Sequence, residues 1–168
     1  MEFESLIKSR QSVRMFTNEK VSDDKIESIL NAGILAPTAK NLQPEKIFVL
    51  KNDDAIKKIN EASPCIYGST TVLLVCSDKN NSFKKDDGSS TYEMDASIVA
   101  TFMMLEATNI GVDNVWVKLF DKDKVKELFN LKEELEPVCL IPLGYKKDNY
   151  MSPNHLKRKN IDEIVKYL

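Results

Sequence analysis

Apolar and polar positions recur along this chain with two different periods, and each period predicts its own kind of element. Phe3, Leu6 and Ile7 stand at i, i+3 and i+4, which is one face of a short helix. Residues 22–36 continue that rhythm with Ile26, Ile29, Leu30 and Ile34, behind Ser22 as a cap and Asp23 and Asp24 at the positive helix end. Residues 46–50 are β-branched and aromatic and predict a strand. Ile56 and Ile59 place a short helix over 53–62. Residues 71–76 are an unbroken apolar run of strand length, suited to burial on both faces of a sheet. Residues 94–110 form the longest helix-compatible apolar stretch, with ten uncharged residues from Ala96 to Leu105, so that helix is expected at the centre of the core or between subunits. Gly111 ends it as a C-terminal cap, and Asp95 is read as capping its start. Then come a strand at 115–117, a helix at 121–129, a strand at 138–141 bounded by Pro137 and Pro142, and a helix or strand over 161–168. Helices and strands interleave, so the class is α/β or α+β.

Two stretches break the periods. Residues 36–44 hold two prolines, an asparagine and small residues, and read as a loop. Residues 80–91 are polar and read as a mobile loop or lid. With 168 residues, one domain spanning 1–168 is expected. The net charge of −2, with both signs interspersed, argues against nucleic acid as a partner. No run of about 20 apolar residues suggests a membrane span, and the expectation is a soluble, cytoplasmic protein. Cys65, Cys76 and Cys139 are widely spaced, which argues against a disulfide framework or a zinc site. The single histidine, His155, reads as a surface or loop residue. Trp116 and the Met103-Met104 pair read as packing residues.

Candidate chemistry concentrates in Arg10-Gln11-Ser12-Val13-Arg14. Two guanidinium groups suited to bidentate anion recognition flank a hydroxyl. On a helix, Arg10 and Arg14 share a face; in an extended stretch, Arg10, Ser12 and Arg14 do. Taken alone, the cluster reads as a solvated surface group.

A family pattern changes that reading. Arg10 to Arg14 with Phe16 resembles the R-x-S-x-R-x-F signature of the nitroreductase family of flavoproteins. Residues 36–44 resemble its A-P-[ST]-x-x-N-x-Q-P loop, residues 95–116 its long helix and following strand, residues 141–145 its P-x-G-Y turn, and residues 158–164 its R-K-P-L-E-E-[IV] tail. The five motifs occur in the family's order over nearly the whole chain. The resemblance implies an α+β sandwich, with a mixed, mainly antiparallel sheet flanked by helices and a long central interface helix. It implies a homodimer that holds FMN at shared sites, and a ping-pong reaction in which NADH or NADPH supplies electrons for a small-molecule acceptor such as a nitroaromatic or quinone. Arg10, Gln11 and Ser12 would lie at the phosphate and ribityl end of FMN, and Arg14 near the pyrimidine edge, tuning the flavin. Pro37, Thr38, Ala39 and Asn41 would come from the partner subunit, as would Gln43. Gly144, Lys157, Arg158 and Lys159 would close the phosphate end. No side chain is needed as a catalytic acid or base, because the flavin carries the chemistry, and no metal is expected. The chain departs from the pattern at Asn160, where proline is usual, and at residues 100–103, which lack a common Gln-Asn pair. It also lacks an insertion found in larger relatives, which leaves Tyr92 and the 80–91 loop to shape the substrate side. A flavin carrier or sensor without turnover, or a same-fold flavoenzyme such as a reductive dehalogenase, are the alternative expectations.

Overall fold

A computed structural model describes residues 2–168. Its elements in chain order are α1 (Phe3–Ser9), α2 (Asp23–Ile34), β1 (Glu45–Leu50), α3 (Asp53–Ala62), β2 (Thr71–Asp78), α4 (Tyr92–Asn109), β3 (Asp113–Asn114), α5 (Lys122–Leu128) and β4 (Leu135–Gly144). The four strands form one sheet in the order β1-β2-β4-β3, and every ladder is antiparallel. An isolated parallel bridge, Ser12 to Asn114, lies outside the named strands. The fold is α+β, as the interleaved pattern and the motifs predict.

β2 carries the design. Residues Val72 to Cys76 are fully buried, because alternate side chains enter two cores on opposite faces of the sheet. Leu73 and Val75 pack with Ile26 and Ile29 of α2 and Val99 and Met103 of α4. Val72, Leu74 and Cys76 pack with Ile59 of α3, Val125 of α5, and Val13 and Phe16 from the chain after α1. Burial pushes the Cys76 thiol up to about 12, with Lys126 opposing it, so this cysteine is an inert core residue. α2 reaches α4 closely at Gly33, where a Cβ would stand 2.8 Å from Met103 Cγ. Ile34 does not join that contact and is exposed, so Ile26 and Ile29 carry the stripe, with Leu30 partly buried against the core.

Several sequence expectations are corrected. β4 runs through Pro137 and Pro142 and is not bounded by them. Pro137 lies where the register shifts opposite Val75 and Cys76, a bulge that spares a ladder donor. The carbonyl of Pro142 accepts from Val115 N–H at 3.3 Å, so the missing donor of Pro142 falls on the irregular 115–117 side and not on the β2 ladder. The strand expected at 115–117 is displaced to Asp113–Asn114, leaving only a bridge from Val117 to Leu140. Residues 161–168 hold a single 3-10 turn, Ile161–Glu163, and are exposed throughout. Residues 80–91 fold back on themselves, with Lys84 bridged to Ser90 and Lys85 N–H donating to Ser89 O at 2.8 Å.

α4 begins two residues earlier than expected and ends as predicted at Gly111, whose φ of 74° is the left-handed cap conformation. It is buried along Ala96, Val99, Ala100, Met103, Met104 and Ala107, while Met94 and Phe102 are exposed. Among the described residues no helix is long and apolar enough to cross a membrane.

Candidate functional site

α1 stops at Ser9, and the next residues are extended. Val13 N–H donates to Asn114 O at 3.0 Å, and Val13 is fully buried. With Val13 anchored inward, the two-residue alternation of an extended chain turns Ser12 and Arg14 the other way. The extended alternative is therefore the one that occurs. Asn114 fixes this geometry from the side of α4: its buried amide donates to Met104 O and Thr108 Oγ1, both at 3.1 Å.

The far end of the chain returns to the same place. Tyr150 Oη donates to Ser12 O at 3.0 Å, and Ser152 N–H donates to Gln11 Oε1 at 2.9 Å. His155 N–H then donates to Ser152 O at 3.0 Å, closing a turn. These bonds build an open cavity of about 160 Å³ lined by Arg10, Ser12 and Arg14 on one side and by Ser152, Asn154, His155 and Arg158 on the other. No carboxylate lines it. Arg10 is the most enclosed of its three guanidinium groups. Burial lowers the Arg10 pKa from its ordinary value and the charge of Arg158 lowers it further, so two like charges face one space and an anion between them relieves both.

Arg14 also neighbours Tyr67. The Tyr67 hydroxyl is raised above an ordinary tyrosine, first by its hydrogen bond with Cys65 and then by burial, while Arg14 pulls it down. Arg10 and Ser12 further line a mostly apolar groove of about 480 Å³ over α4, with Ile7, Thr101, Leu105 and Trp116. A neighbouring apolar groove of about 430 Å³ is lined by Phe3, Leu6, Phe102 and Leu105.

Of the expected site residues, the fold brings Arg10, Ser12, Arg14 and Arg158 together. Gln11 is beside the cavity and pins its rim through Ser152. Lys157 and Lys159 are exposed outside it. Gly144 lies under the Phe16 ring, where a Cβ would stand 3.0 Å from Cδ1, so its smallness serves packing. Pro37, Thr38, Ala39, Asn41 and Gln43 do not line the cavity of their own chain. Their loop is nonetheless held in a defined shape. Lys40, Asn41 and Gln43 all have φ near 50°, and Gln43 N–H donates to Thr38 Oγ1 at 3.1 Å.

The buried carboxylate of Asp95 accepts from Ala39 N–H at 2.9 Å and from Thr91 Oγ1 at 2.7 Å. Asp95 therefore does not cap α4, where Thr91 holds the cap position; it ties the 37–43 loop to the helix. Sequence reasoning missed Ser152, Asn154 and His155 as cavity residues. Only their closeness in sequence to Arg158 hinted at them.

The nitroreductase family profile matches residues 7–67 and 62–145. The chain belongs to the nitroreductase family. A nitroreductase family protein of Clostridium difficile 630 has a crystal structure that superposes with a TM-score of 0.94 at 36% identity, over 99% of this chain and 98% of that one. Another from Clostridium novyi NT gives 0.81 at 29% identity, over 88% and 87%. A protein of Archaeoglobus fulgidus, named provisionally as an NADH dehydrogenase/NAD(P)H nitroreductase, is 29% identical over 85% of this chain and 84% of its own length. The profile spans the arginine cluster, the 37–43 loop, Asp95 and Asn114, while Ser152, Asn154, His155 and Arg158 on the other side of the cavity lie beyond the matched residues.

Proposed function

We propose that this chain is an FMN-dependent oxidoreductase that takes electrons from NADH or NADPH and passes them to a small-molecule acceptor, such as a nitroaromatic or a quinone. The observation that carries the reading is the cavity of three arginines, two serines, an asparagine and a histidine with no lining carboxylate. That donor set fits a phosphomonoester, which carries close to two negative charges and accepts charge-assisted hydrogen bonds. Family membership and the relatives' names support the redox half of the reading.

In this reading Arg10 and Arg158 hold the phosphate and Ser12 donates beside them. Gln11 contributes by holding the rim. Arg14 stands as a fixed cation that favours negative charge on a reduced ring, and it does so without a proton of its own to lose. FMN, when bound, supplies the electron transfer itself. The Ala39 loop serves the site of a second copy, presented by Asp95. The homodimer is supported by apolar surface that one chain leaves uncovered: Phe3 is 67% exposed and Ile7 46%, beside Phe102 and two apolar grooves. We infer that the protein works in the cytoplasm, where reduced nicotinamide is available.

The test is the visible spectrum. Purified protein, or protein reconstituted with FMN, is expected to be yellow and to bleach anaerobically with NADH or NADPH, regaining colour with a quinone. Protein that cannot take up FMN overturns the reading.

A further inference from the structure

His155 lies in the turn that closes the arginine cavity, yet its imidazole has an unusual environment. Nδ1 is buried and has no hydrogen-bond partner. A buried N–H without a partner is costlier and rarer than a buried bare acceptor, so the ring proton belongs on Nε2. Nε2 is not among the sealed, unpartnered atoms as Nδ1 is. The ring lines the arginine cavity and also the adjoining cleft formed by Ile7, Lys8, Leu156 and Arg158. Every charged group on those two linings is a cation: Arg10, Arg14, Arg158 and Lys8. Lys8 is paired with Glu4, which leaves a donor beside three arginines with its other nitrogen closed, an arrangement for an anion.

We infer that His155 is a phosphate ligand of this site, donating through Nε2 to a phosphomonoester, and that it sets the preference for FMN over riboflavin. This rests on the FMN reading of the cavity. The backbone supports it: Gln11 holds Ser152, and Ser152 holds His155, so the turn that carries the imidazole is fixed by two hydrogen bonds before any ligand arrives. Pre-positioning of this kind lowers the ordering cost of binding. Gln11 is then a positioning residue for His155.

His155 is the chain's single histidine, so its imidazole proton resonances need no assignment. The experiment compares wild type, His155→Leu and His155→Gln by flavin fluorescence titration, and follows the histidine Cε1–H resonance of wild type at constant pH. His155→Leu is expected to weaken FMN about tenfold, as for loss of one hydrogen bond to a charged group, and to leave riboflavin unchanged. His155→Gln, which carries an N–H close to the position of Nε2, restores most of the loss. FMN shifts the resonance and riboflavin does not. Equal weakening of both flavins in His155→Leu, or no weakening of FMN, overturns the assignment. If wild type takes up no FMN, the functional reading falls by itself. Inorganic phosphate then decides the anion site, which a resonance shift supports and an unmoved resonance overturns.

Discussion

Arg10 ends α1 and shares its cavity with Arg158, and its charge is already destabilised by burial and by that neighbour. In the proposed reading a phosphate removes the second penalty, so Arg10 would govern how tightly FMN is held. Arg10→Ala is expected to raise the Kd for FMN by roughly thirtyfold, about 2 kcal/mol, the low end for truncating one partner of a buried charged pair because Arg10 is only partly buried. Fluorescence titration measures it, and an unchanged Kd removes Arg10 from the phosphate. Arg14 is more exposed and sits beside Tyr67, so its part in affinity is smaller. Arg14→Leu is expected to lower the midpoint potential of bound FMN by on the order of 30 mV, equivalent to about 1.4 kcal/mol for a two-electron couple. Equilibration with a redox dye reads this shift directly. The arginines were legible in the sequence only through the ordered family motifs, since on their own they read as a solvated surface cluster. His155 was not, since a lone histidine in a polar stretch has no local signature. Its place depends on a bond between residues 11 and 152, far apart in the chain.

Two buried or half-buried carboxylates join elements of the fold, Asp95 beside the 37–43 loop and Glu136 at the other end of the β2–β4 ladder from Leu143. Asp95, on the first turn of α4, fixes the Ala39 loop, and without it the Ala39 N–H loses its acceptor. Asp95→Ala is expected to cost about 1–3 kcal/mol, the penalty for an unpaired enclosed donor, and to weaken FMN retention along with stability. Thermal melts with and without FMN separate the two effects. Glu136, near the start of β4, accepts from Lys126 of α5 at 2.6 Å and from Lys79 after β2 at 3.0 Å. Burial pushes the Glu136 carboxyl up, but the hydrogen bonds from Lys126 and Lys79 outweigh it and hold the pKa below the ordinary glutamate value. The sign follows from linkage: with a folded-state pKa below the unfolded one, the stabilisation is complete above about pH 4.3 and is lost as pH falls through the folded-state value. Glu136→Gln is therefore expected to be less stable than wild type at pH 7, with the gap in Tm closing in acid below about pH 4. A gap that stays constant with pH refutes the ion-pair account. The helix stripes that frame these contacts were readable because helical periodicity is local. Asp95 was read as a cap because an acid at a helix start usually is one, and only the docking of the 37–43 loop gives it a different partner.

At the scale of the molecule, the proposed dimer rests on surface that one chain leaves uncovered. Its arginine cavity, its α1–α4 grooves and residues 161–168 all present apolar or charged surface that the chain itself does not cover. Phe102 stands at the middle of the uncovered α4 face, 38% exposed beside Leu105 and Phe3. Phe102→Asp is expected to convert a dimer to a monomer by light scattering and to release FMN together with the partner. A wild-type monomer, or a Phe102→Asp dimer that keeps its FMN, refutes the shared site. The sequence by itself determined most of the succession of elements and the doubly buried β2, because hydrophobic period acts over a few neighbouring positions, and its ordered motifs named the candidate anion-binding arginines. The tertiary structure alone decided three things. β4 passes through two prolines because their missing donors fall at a bulge and on an irregular edge. Arg10, Ser12 and Arg14 converge because Asn114 pairs with Val13 in an extended segment. His155 faces the arginines because residues 11 and 12 capture the returning chain. Each outcome is set by hydrogen-bond partners contributed from distant segments, which no local pattern specifies.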